Sequence, residues 1–195
     1  MSDEWRKMSA SELGRDIGSG GVDPVELAEV MLDAISQVSG VPTEFTHIGF
    51  PGGDRQETKE YPKGTRAIQL HDSAVESYFL KTFGRNDRQI TCECERSDEP
   101  SMVQVLHIAN GDTINAKLKA KENRVDELLK SELADAEIVE EIFLSALSRS
   151  PTDSEKSGML AVLAEVDQED KEQRRILLED IFWSVMSTRE FLFNH

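Results

Sequence analysis

Cysteine is scarce in this chain: Cys92 and Cys94 are the only two in 195 residues. A disulfide framework of the kind that staples small secreted domains is therefore excluded. Long apolar runs are missing as well. None reaches the roughly 18 residues that a membrane-spanning helix needs, so no membrane is expected as a partner. Positive charge is short: 22 Lys and Arg stand against 38 Asp and Glu, a net charge of −16 with a pI near 4.6. Nucleic acid is excluded as a partner, because phosphate contact needs a basic surface. Anionic lipid is disfavoured for the same reason. The opening MSDEWRKMSASELG has no basic region followed by an apolar stretch. No secretory signal is encoded, and the chain as written is expected in the cytoplasm. Hydrophobic residues make up 38% and aromatics 6%, lean for a globular domain but not the composition of a disordered chain.

What is present is helical punctuation. Ser9 and Glu12 have capping-box spacing, and Gly18, Gly20 and Gly21 break the short helix they would start. Asp23 and Pro24 then read as cap and first position of a second helix. Along Val25–Val38, the residues Leu27, Val30, Met31, Ala34, Ile35 and Val38 form an apolar stripe that Gly40 stops. From Gly40 to Asp72 the periodicity disappears among repeated Pro and Gly, and a long irregular loop is predicted, with Thr65–Leu70 as a short strand. Ser73 is positioned to cap a short helix through Phe83. Ser97 caps another that carries Met102, Val105, Leu106 and Ala109. After Asn110-Gly111 the spacing predicts helices over Thr113–Ala120, Arg124–Ser131 and Asp135–Leu147, the last with Ile138, Ile142, Leu144 and Leu147 inward. Thr152 and Glu155 form a second capping box ahead of Met159–Val166. Asp167–Met186 is predicted as a long helix with Ile176, Leu177, Ile181, Val185 and Met186 inward. Phe182, Trp183, Phe191 and Phe193 read as packing anchors. Residues 121–180 hold 17 acids against 8 bases, a solvated acidic surface. The fold expected is mainly α: an irregular helical array with a long loop and at most a minor β element around the Cys-x-Cys segment.

The most chemical feature is Cys92-x-Cys94. In an extended strand both thiols share a face, where they can bite a soft metal such as zinc, completed by His107, His47 or His71. The acids Glu93 and Glu95 raise the thiol pKa, and no second cysteine pair exists. The same residues also read as two small buried apolar side chains, or as a strained local disulfide. Arg85, Arg88 and Arg96 surround this segment. They present either an anion site or a salt-bridge network with Glu93, Glu95, Asp98 and Glu99. His107 lies near a helix end beside Asn110 and Asp112, as a core histidine, a proton acceptor or a ligand. His71 beside Asp72 is a further candidate. Gly52-Gly53-Asp54 is a turn signal without the context of a phosphate loop. No catalytic set emerges.

Five ordered segments carry a resemblance: AEVMLDAISQVSGVPTEF, YPKGTRAIQLHDSAVESYFLKTFGR, ITCECERSDEPSMVQVLHIANGDTINAKL, LSALSRSPTDSEK and LEDIFWSVMSTREFLFNH. Together they resemble the C-terminal part of the planctomycete secreted domain family of unknown function, over about residues 28–195. In that family the domain follows a cytochrome c-like segment. The resemblance implies an accessory or interaction module of an extracytoplasmic protein, whose partner is the missing upstream domain or a cytochrome c-like domain, with polysaccharide as a further candidate. Haem would sit only on the partner, leaving this chain no cofactor beyond a metal at Cys92 and Cys94. The alternative is a fragment of a metal- or haem-dependent enzyme acting on polysaccharide, with its site at the Cys-x-Cys and arginine segment. Residues 1–27 depart from the family. The piece SASELGRDIGSGGVDPVELAEVMLDAI is similar to the opening helices of amidase-signature hydrolases, but no glycine-serine-rich nucleophile segment or serine-lysine arrangement accompanies it. Residues 1–27 are expected to be an atypical extension ahead of one helical domain.

Overall fold

Pro24 occupies the first position of helix α1 (Pro24–Ser39), as its missing N–H predicts. The structure, a computed structural model, describes residues 24–49, 54–71, 74–83, 112–167 and 170–193. Along α1 the buried apolar residues are Ala28, Met31, Leu32, Ile35 and Val38. The inward stripe is turned from the expected one: Leu32 lies at its centre, and Val30 and Ala34 lie at its margin. Gly40 ends the helix with φ +73°, a left-handed turn that glycine adopts without strain.

The irregular stretch that follows holds a two-stranded antiparallel ribbon, β1 (His47–Ile48) and β2 (Gln56–Glu57). Ile48 also bridges Val75 on its other side. The small β element therefore lies within the long loop; the Cys-x-Cys segment is outside the described residues. Thr65–Leu70 is not a strand. It contains a 3-10 turn, Ala67–Gln69. The reason is local satisfaction of its donors: the Asp33 carboxylate accepts from the N–H groups of Ala67 (2.6 Å) and Ile68 (3.2 Å), and Gln69 Oε1 accepts from Arg66 N–H (2.9 Å). The next helix, α2 (Tyr78–Thr82), is capped four residues later than expected, by Ser77 rather than Ser73, with Ser77 accepting from Leu80 N–H. Val75 is held in the bridge to Ile48, which keeps the chain extended up to that point.

The remaining helices are α3 (Asp112–Leu118), α4 (Arg124–Lys130), α5 (Asp135–Leu147), α6 (Asp153–Leu163), α7 (Lys171–Met186) and α8 (Arg189–Phe193). Helices α3, α4, α5 and α7 fall close to the expected spans, α6 begins directly behind its Thr152 cap rather than at Met159, and α8 lies where no helix is expected. The Thr152–Glu155 capping box forms in both directions, with Glu155 N–H donating to Thr152 Oγ1 and Thr152 N–H to Glu155 Oε2. Asn123 caps α4 and Asp170 caps α7. Two apolar assignments need correction. Leu144 on α5 is 45% exposed and Ile176 on α7 is 48% exposed. At 3.6 residues per turn, Ile138, Val139, Ile142, Phe143 and Ala146 share one side of α5, with Leu144 opposite. On α7 the same geometry gathers Leu178, Ile181, Phe182, Val185 and Met186, with Ile176 on the far side. Phe182 and Phe191 are fully buried, and Trp183 packs against the core from partial burial.

Two helices organise the packing. α1 contacts the 3-10 turn, α2, α3, α4 and α5; α7 contacts α3, α4, α5, α6 and α8. Helices α3, α4 and α5 touch both, so one continuous hydrophobic core runs from Ala28 to Leu192. The fold is mainly α.

Candidate functional site

Cys92, Cys94, His107, Arg85, Arg88 and Arg96 lie outside the described residues. Of the other histidines considered as ligands, His47 shares a hydrogen bond at Nδ1 with Thr46 Oγ1 (2.8 Å) on a half-buried strand. His71 places its ring 5.3 Å from that of Tyr61, with Nε2 4.0 Å from Glu60 Oε2. Among the described residues, no three His, Cys, Asp or Glu side chains are grouped to hold a metal.

The structure brings other charged residues into the body. Helix α3 turns Ile114, Lys117 and Leu118 inward together, the spacing of one helical face. A lysine on that face must find an acceptor. Lys117 Nζ donates to the Val41 carbonyl at 2.6 Å. Burial pushes its ammonium pKa down to about 8, with the nearby Asp33 carboxylate opposing the shift. The signal was present in the sequence, as a lysine three residues after Ile114, but a single cation on an apolar face does not announce its partner. Asn123 is fully buried just beyond. Its Oδ1 accepts from Asp126 N–H (2.9 Å), and its Nδ2 donates to the carbonyls of Lys117 and Leu118. One side chain thus closes α3 and opens α4.

Arg149 forms the second cluster. Its guanidinium donates to Glu190 (2.6 and 2.7 Å) and to Glu155 (3.0 Å twice), with its carbon 5.3 Å from the Phe143 ring centre. The hydrogen bonds from Arg149 hold the Glu155 carboxyl down at about 2, against burial, which raises it; Thr152 helps to lower it. These bonds tie α6 and α8 to the end of α5.

A groove of about 720 Å³ opens where α4 hands over to α5. Leu128 and Leu129 of α4, Leu133 of the connecting turn, Ile138 of α5, Leu160 of α6 and Arg174 of α7 line it. Ser131 closes α4 by donating to the Leu128 carbonyl (2.7 Å), which turns the chain outward. Leu133 is consequently left 41% exposed at the mouth. The rim is acidic: Glu132, Asp135 and Glu137. Glu137 reaches back to the Ala134 N–H (2.8 Å) at the start of α5. Asp135 pairs with Arg174 Nη2, while Arg174 Nη1 is buried without an acceptor. Exposed Leu133, part-buried Leu129 and Leu160, and an acidic rim suit the site to binding an amphipathic group. Sequence reading missed it, because its walls come from four separate helices.

A family model described as PSD1, protein of unknown function (DUF1553), matches residues 22–163. No curated protein and no solved structure matches the chain. The match spans the helices that supply the floor of the groove and stops short of α7, which supplies Arg174.

Proposed function

The chain belongs to the PSD1 family of proteins of unknown function (DUF1553), and on that premise we propose that it is an accessory interaction module. It docks another domain or protein of an extracytoplasmic, cytochrome c-associated assembly and carries no haem of its own. The observation that supports this reading is the groove at the α4–α5 turn, with exposed Leu133 above an apolar floor and acids around it. The polar residues of the body point the same way: Arg149, Lys117 and Asn123 all direct their polar atoms at other parts of this chain, which they hold together.

The test is calorimetric titration of the full chain with the upstream part of a longer family member and with a cytochrome c-like domain. A saturable one-to-one complex, weakened by salt, is expected with one of them. Elemental analysis of protein purified without added metal addresses the competing reading, a metal-dependent enzyme fragment using Cys92, Cys94 and His107. A stoichiometric metal, with no complex in either titration, would overturn the module.

A further inference from the structure

The groove combines apolar surface at its base and mouth with an acidic rim. Leu129 and Leu160 pack on the core from partial burial at its base, over the buried Leu128 and Ile138. Its mouth carries an exposed leucine, Leu133, next to Glu132, which has no ion pair among the described residues. Its wall includes Arg174, held in place by its pair with Asp135. The rim adds Glu132 and Glu137 to the Asp135–Arg174 pair, so the surroundings are net negative.

We propose that this groove receives an extended peptide segment of the partner protein, in which one large apolar side chain is flanked by lysine or arginine. The inference rests on the docking reading above and narrows it. The apolar side chain covers Leu133 and reaches the part-buried Leu129 and Leu160. The flanking cation pairs with Glu132 and Glu137. The same acidic rim repels a carboxylate, which selects a cationic segment.

Fluorescence anisotropy of a labelled, end-blocked peptide of alternating lysine and leucine tests this against the full chain. The comparisons are a lysine–serine peptide, a glutamate–leucine peptide, and the variants Leu133→Asp and Glu132→Lys, both at the surface and checked for helicity. Saturable binding of the lysine–leucine peptide is expected, with roughly tenfold weaker binding for either comparison peptide and for either variant. Equal binding of the lysine–serine peptide would reduce the effect to net charge and overturn the proposal. So would unchanged affinity in Leu133→Asp, or no saturable binding at all. The two readings fail separately. A chain that still binds its partner domain with Leu133→Asp in place removes the groove and leaves the module; a chain that binds no partner domain removes the module whatever the peptide does.

Discussion

Lys117 and Val41 meet across 76 residues of sequence: the Lys117 ammonium donates to the Val41 carbonyl at 2.6 Å, just past the left-handed turn at Gly40. The bond fastens the exit of α1 to α3 and brings a cation into an apolar layer beside Ile114 and Leu118. It sets the first prediction.

Lys117 titrates near 8 in the folded protein, against an ordinary 10.5. The unfolded chain therefore holds the proton more tightly. Between pH 8 and 10.5 the unfolded state binds more protons, so the contribution of this group to stability rises with pH in that window. Urea unfolding of the native chain and of Lys117→Met is the measurement. The native chain should gain about 1.5 kcal/mol relative to the variant between pH 8 and 9.5. A flat difference would mean that the amine is not desolvated.

Arg149 sets an acid limit in the same sense, with stability again rising with pH but in a lower window. Glu155 is held at about 2 and Glu190 is also held below its usual range, both by hydrogen bonds from Arg149. A depressed carboxyl contributes stability that is fully present above its unfolded value and is lost as pH falls through the folded one. The window for Glu155 is thus about 4.5 down to 2. Arg149→Met should cost about 1–2 kcal/mol at neutral pH, allowing for solvent screening of a part-exposed cluster. It should also flatten the loss of stability below pH 4.5. A variant as acid-sensitive as the native chain would place that sensitivity elsewhere.

Asn123 separates two roles within one side chain. Asn123→Ala removes the cap of α4 and the donors to the Lys117 and Leu118 carbonyls, and should cost about 2–3 kcal/mol in chemical denaturation. Asn123→Ser keeps a neutral capping oxygen and loses the amide donors, so it should recover part of that loss. If both variants cost the same, the donors rather than the cap carry the effect.

The facing of α7 can be read from two residues. Phe182 is fully buried and Ile176 is 48% exposed. Phe182→Ala should destabilise by about 3–5 kcal/mol, whereas Ile176→Ala should stay within about 0.5 kcal/mol of the native chain. Thermal unfolding of the pair distinguishes this facing from one with Ile176 turned inward.

Helix spans were legible because their signals are local. Pro24, Gly40, Thr152 with Glu155, and the Asp135–Leu147 pattern each act within a turn of chain, so spacing alone locates them. The ribbon at His47–Glu57 escaped notice, since two-residue strands leave no alternation to read. The sites chosen from residue chemistry, Cys92 and Cys94 with His107 and the arginines, lie outside the described residues; among the described residues, geometry and charge coincide at the groove.

The amino-acid order by itself determined a mainly α chain, its helix ends, its acidity and its family. Tertiary structure alone decided that Leu144 and Ile176 face outward, that Lys117 goes in, and that Leu128, Leu133, Leu160 and Arg174 share one groove. The physical reason is range. A cap or a glycine acts on backbone groups a few bonds away, whereas burial and pairing depend on which remote surface arrives opposite, and that is set only when α1 and α7 close on the helices between them.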